Sequence, residues 1–191
     1  TLCWPMLAGR FLVGDDQYIA GYGFRLFGAE MFRQTGHIPQ WNPYLFGGLP
    51  YIAAMHGDIF YPTAWLRWFL PTDTAMNLGF FSHIVLAGVT MYAFLRALRV
   101  GWTGALVGGL AYELTGIVAS LVHPGHDGKL FVSALTPLML LALLRAIRHQ
   151  RLSGYGMLAI TVGLAMLSPQ YQMAYYALVA SALWTVHLVF F

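Results

Sequence analysis

The sequence predicts an all-α integral membrane protein: about five transmembrane helices over residues 77–191, preceded by a long N-terminal extracytoplasmic loop, residues 1–76, that carries short interfacial helices. Three observations predict this class. Of 191 residues, 59% are hydrophobic and only 9% are charged, with a mean hydropathy of +0.64. Ordinary soluble domains carry roughly 25% charged residues because a hydrated surface requires them. Aromatic residues make up 16% of the chain and crowd its first third, as expected where a polypeptide lies at a membrane–water boundary. Finally, five apolar stretches recur after residue 76, and a helix needs about 20 apolar residues to cross the hydrocarbon core.

The opening Thr1-Leu2-Cys3-Trp4-Pro5-Met6-Leu7 has no basic region leading into a long apolar one, so it does not read as a secretory signal, and the chain looks like an internal fragment. Cys3 is the single cysteine and permits neither an internal disulfide nor a zinc-type spacing. Residues 1–76 are broken by Pro39, Pro43, Pro50, Pro62 and many glycines, which argues for a segment lying along the interface rather than crossing it. Within it, residues 17–34 read as a weakly amphipathic helix. Residues 63–70 read as a short helix set between Pro62 and Pro71, because proline is tolerated at helix starts and stops.

The five apolar stretches are residues 77–95, 102–122, 130–147, 155–167 and 172–191, and each is a helix candidate. The fourth is short for a span of about 20 residues and would borrow its flanks, Ser153, Gly154 and Ser168. Arg96 and Arg99 follow the first stretch, and Arg145, Arg148 and Arg151 follow the third, so these two loops are expected on the cytoplasmic side. Topology therefore accounts for five of the ten basic residues, and the net charge of +3 forms no continuous stripe for nucleic acid.

That topology collects Asp15, Asp16, His37, His56, Asp58, Asp73, His123, His126, Asp127, Lys129 and Gln170 on the non-cytoplasmic side together with residues 1–76. Ionisable groups near hydrocarbon cost free energy, so their concentration on one face points to a site, with hydration of exposed loops as the plain alternative. Gly14-Asp15-Asp16-Gln17 precedes the amphipathic helix. One aspartate can cap the helix amides while its neighbour stays free and faces the membrane surface. His123-Pro124-Gly125-His126-Asp127-Gly128-Lys129 offers imidazoles and an amine to a phosphate. Proline and glycine break the i,i+4 geometry a metal site would use there, so no metal site and no cofactor is expected, although a divalent metal requirement is left open. Glu113 lies about twelve residues into the second stretch, roughly 18 Å along a helix and near mid-membrane, where it must face protein or water. His83 and His187 also lie in apolar stretches, where hydrogen bonding to a neighbouring helix is commoner than pigment ligation.

The run Gly36-His37-Ile38-Pro39-Gln40-Trp41-Asn42-Pro43-Tyr44-Leu45-Phe46-Gly47-Gly48-Leu49-Pro50-Tyr51, followed by Phe60-Tyr61-Pro62, resembles the first large loop of YfhO-like bacterial membrane proteins, which belong to the GT-C class of membrane glycosyltransferases. The resemblance covers the N-terminal portion of that family and implies further helices beyond this chain. It implies transfer of a sugar from a polyprenyl-phosphate carrier to a cell-envelope acceptor at a bacterial inner membrane. Asp16, or else Asp15, would take the acceptor proton; Lys129, His126 and His123 would meet the phosphate; Trp41, Asn42, Tyr44 and Tyr61 would form the loop that holds lipid and sugar. The partners so implied are membrane lipid and the polyprenyl-phosphate sugar. The competing reading is a non-catalytic transmembrane subunit that packs against other membrane protein subunits, with a transporter built on Glu113 as a third.

Overall fold

The computed structural model describes residues 10, 14, 16–54, 58–122 and 124–191. Among the described residues, the regular structure is helical apart from one small hairpin, and the chain divides into two compact units. Residues 1–81 and 122–126 form the first, and residues 82–121 and 127–191 form the second.

The first unit opens with a π-helical stretch, Gln17–Tyr22, that runs directly into helix α1, Gly23–Thr35. Gly36 ends α1 in the left-handed conformation, φ 72°, and its N–H returns to the Phe32 carbonyl, a closure that glycine makes without strain. The run singled out above folds as a hairpin, with β1, Trp41–Asn42, antiparallel to β2, Leu49–Pro50, in the register Trp41↔Pro50 and Asn42↔Leu49. Its turn needs positive φ at Phe46, Gly47 and Gly48, which explains the glycine pair. A 3-10 helix, Pro62–Trp68, follows, with proline in its first turn. Its end is held from α1, because Arg33 Nη2 donates to the Arg67 and Leu70 carbonyls.

Helix α2, Thr72–Ala97, starts in the first unit and continues into the second. The apolar stretch 102–122 is not one helix: α3, Trp102–Glu113, and α4, Gly116–Val122, are separated at Leu114 and Thr115. The physical reason is local. Thr115 turns its hydroxyl back to the Tyr112 carbonyl and accepts from the Val118 N–H, so it closes one helix and starts the next, and Gly116 has little propensity to bridge them. Helices α5, Asp127–Ile147, α6, Leu152–Leu167, and α7, Tyr171–Phe190, complete the second unit.

Among the described residues, three helices are long and apolar enough to cross a membrane: α2, α5 and α7. Helix α6 has 16 residues and is apolar but shorter. Helix α5 is the central one. Val132, Leu135 and Met139 pack with Ala165 of α6 and with Ala174 and Ala177 of α7. Small residues at such crossings let backbones approach where lipid supplies no hydrophobic drive. Gly154 is the extreme case, since a Cβ there would sit 2.4 Å from the Ala146 nitrogen. Hydrogen bonds between helices add specificity: Thr90 Oγ1 donates to the Ala134 carbonyl at 2.8 Å, and Trp184 Nε1 donates to the Leu140 carbonyl at 3.1 Å.

Candidate functional site in the first unit

Helix α1 is the platform of the first unit, and an ionic cluster fastens Asp58 and the 3-10 helix to it. Asp58 receives Arg25 Nε on Oδ1 at 2.9 Å, Arg67 Nη2 on Oδ1 at 2.8 Å and Arg67 Nη1 on Oδ2 at 3.1 Å. Arg25 Nη1 also donates to Gln17 Oε1 at 2.5 Å. All four residues are buried. Burial alone would raise the Asp58 carboxyl, but the charges and hydrogen bonds of Arg67 and Arg25 outweigh it and hold the group well below the usual carboxylate range. The cluster is anchored by aromatic packing. Tyr51 stacks on Phe24 at 4.2 Å and meets Phe27 edge-on, and its hydroxyl lies against Gly28, where a Cβ has no room. Desolvation pushes the Tyr51 phenol up to about 12, so it stays neutral at ordinary pH.

The hairpin presents its aromatics outward. Trp41, Tyr44 and Phe46 are exposed, with Phe46 at 90%. Asn42 is buried, and its Oδ1 accepts the Tyr44 N–H at 3.0 Å, the side-chain turn that sets the bend at Pro43. Beside it lies a groove of about 360 Å³ lined by Gly23, Leu26, Phe27 and Glu30 of α1 and by Asn42, Tyr44 and Leu45. The third aromatic expected at this loop, Tyr61, is elsewhere. It is buried at 3% exposure, its N–H donates to the Asp58 carbonyl, and burial raises its phenol. Its part is to help enclose the ionic cluster rather than to face a ligand.

Asp16 does not act as a helix cap: its own backbone is helical, φ −64° and ψ −39°, and its side chain makes no capping hydrogen bond. Instead its Oδ2 lies 3.4 Å from His126 Nε2, with the carboxylate side chain 65% exposed. The pairing follows from how the 122–126 segment seats. Pro124 accepts the Gln17 N–H, and Gly125, at φ +88°, lies against the Gln17 side chain where no Cβ would fit. Neighbouring residues thus face opposite ways, Asp16 to solvent and Gln17 into the ionic cluster. An exposed carboxylate oriented by an imidazole can take a proton from a hydroxyl brought within hydrogen-bond reach.

Of the other residues read from the sequence, Asp15, His56 and His123 lie outside the described residues. Lys129 belongs to the second unit, in the first turn of α5, where its carbonyl accepts from Ser133 Oγ. Glu113 is the last residue of α3. His83 is buried with its ring 4.0 Å from that of Phe131, and His187 stacks between Trp184 and Phe191. Among the described residues, no three His, Cys, Asp or Glu side chains gather closely enough to hold a metal ion. Sequence reasoning missed Arg25 and Arg67 altogether. The available signal was Arg25 itself, an arginine set in the apolar run Phe24 to Phe27 of an otherwise interfacial helix.

Fold and composition together define a helical protein with, among the described residues, three helices fit to cross a membrane. Comparison with known proteins adds no family to that class: no family model, no curated protein and no solved structure matches the chain.

Proposed function

We propose that the protein is a membrane glycosyltransferase that moves a sugar from a polyprenyl-phosphate carrier to a cell-envelope acceptor. The observation that carries this reading is the exposed Asp16 carboxylate, 3.4 Å from the His126 imidazole, on the same compact unit as the outward-facing aromatic hairpin. In this reading the helices cross a bacterial inner membrane five times, with α3 and α4 together making one crossing, and residues 1–76 lie on the non-cytoplasmic side. As the acceptor oxygen bonds to the anomeric carbon, its proton passes to Asp16, while the bond from that carbon to the carrier phosphate oxygen breaks. The carrier leaves as polyprenyl phosphate. His126 holds Asp16 in orientation, and Trp41 and Tyr44 supply flat apolar faces for sugar and prenyl groups.

The ionic cluster supports the reading in a second way. Positioning a base to within a fraction of an ångström requires a rigid support, and Gln17, next to Asp16, accepts from the Arg25 guanidinium that is itself held in the buried ionic cluster. The test is direct: the full chain is placed in lipid vesicles with a radiolabelled polyprenyl-phosphate hexose, and label transferred to envelope material is counted. Transfer above that of heat-inactivated protein supports the proposal. A stable stoichiometric complex with a partner protein that transfers nothing would favour the subunit reading instead.

A further inference from the structure

A second groove lies wholly within the second unit, where α2 and α3 cross. Its volume is about 270 Å³, and Val85, Val89, Trp102, Leu106 and Leu110 give it apolar walls. The crossing is close because neither contact residue has a side chain: a Cβ on Gly109 would lie 2.8 Å from the Gly88 carbonyl oxygen. Gly88 also makes room for Glu113, since a Cβ there would lie 2.4 Å from Glu113 Oε2. The groove therefore holds one carboxylate among apolar and aromatic walls, with Tyr92 and Trp102 alongside it. Among the described residues, no cation and no hydrogen-bond donor meets that carboxylate.

A carboxylate set against apolar surface is costly unless it is neutralised or paired. The groove supplies three things that suit a cation carried on an apolar body: a carboxylate, two aromatic residues in its lining, and apolar walls that desolvate the rest of the molecule. The geometry points to a binding site for a small hydrophobic organic ammonium between α2 and α3, with Glu113 as its counter-charge. The site is independent of the transferase reading, because it uses no residue of the first unit.

The test uses the full chain in zwitterionic lipid nanodiscs, titrated calorimetrically with benzyltrimethylammonium and, as its uncharged isostere, neopentylbenzene. Saturable binding of the cation is expected, with the isostere binding at least tenfold more weakly. Glu113→Gln is expected to weaken the cation by about tenfold or more, because the amide keeps the size of the side chain but removes the counter-charge. Leu106→Trp, at an exposed wall position, is expected to abolish binding by filling the groove while circular dichroism and melting stay unchanged. Absence of saturable binding, equal binding by Glu113→Gln, or equal affinity for the isostere would each overturn the assignment.

Discussion

Arg67 grips Asp58 with both terminal nitrogens, Nη2 at 2.8 Å from Oδ1 and Nη1 at 3.1 Å from Oδ2, and Arg25 adds a third bond to the same carboxylate. Removing the acid leaves two guanidinium groups that are nearly solvent-free. Breaking a buried ion pair from one side costs about 3–5 kcal/mol, because the remaining charges are uncompensated. Asp58→Ala is therefore expected to destabilise the first unit by about that amount. Denaturant unfolding in detergent, followed by hydrogen exchange in residues 16–54, checks it; a loss under about 1 kcal/mol would mean that water reaches the cluster.

The same cluster fixes a pH dependence. Asp58 titrates lower in the folded protein than in the unfolded chain, so its contribution is complete above the ordinary value of 3.8 and is lost as the pH falls below it toward the folded value. Tyr51 has the opposite sign. Its phenol is raised from 10.0 to about 12, so its contribution is complete below pH 10 and is lost as the pH rises through about 12. Stability of the first unit should be flat between these limits and fall outside them. Asp58→Ala should flatten the acid limb, which a melting series from pH 2 to 12 would read.

Two glycines on α6 give a matched pair. At Gly154 a Cβ would meet the Ala146 nitrogen at 2.4 Å and the Ala142 carbonyl oxygen at 2.8 Å, and backbone atoms cannot turn aside. At Gly156 nothing lies within 4 Å. Gly154→Ala should cost about 1–3 kcal/mol through overpacking, whereas Gly156→Ala should stabilise α6 by about 0.5–1 kcal/mol through helix propensity. Thermal unfolding of the two variants side by side checks both signs.

His126 separates a stabilising role from a functional one. Its contact with Asp16 is partly exposed, and such pairs contribute about 0–1 kcal/mol. His126→Ala should shift melting by no more than about 4 °C while slowing sugar transfer at least tenfold by releasing Asp16 from its orientation. Equal loss of melting temperature and activity would make the residue structural.

The helical class and the long apolar helices were legible because length and hydropathy alone determine them, as α2, α5 and α7 illustrate. The break between α3 and α4 was not, because residues 102–122 are apolar on both sides of it and hydropathy is blind to a threonine hydroxyl that caps a helix. The turn of the hairpin could be read from Gly47-Gly48 and Asn42-Pro43, but its burial of Tyr51 against Gly28 could not. Asp16 and His126 were both recognisable as chemistry-bearing side chains, yet their pairing depends on how the 122–126 segment seats on Gln17. The Arg25–Asp58–Arg67 cluster was hidden for a similar reason. Arginines in an aromatic, interfacial segment look solvent-facing until tertiary structure brings one acid between them.

The central claim is that Asp16 takes the acceptor proton, and the most direct measurement is the turnover of Asp16→Asn in lipid at saturating donor. Asparagine keeps the size of the side chain but accepts no proton. The account predicts a fall in kcat of about 10²–10⁴-fold with donor KM little changed, since general base catalysis contributes on that scale. Turnover equal to that of the unaltered protein would contradict it.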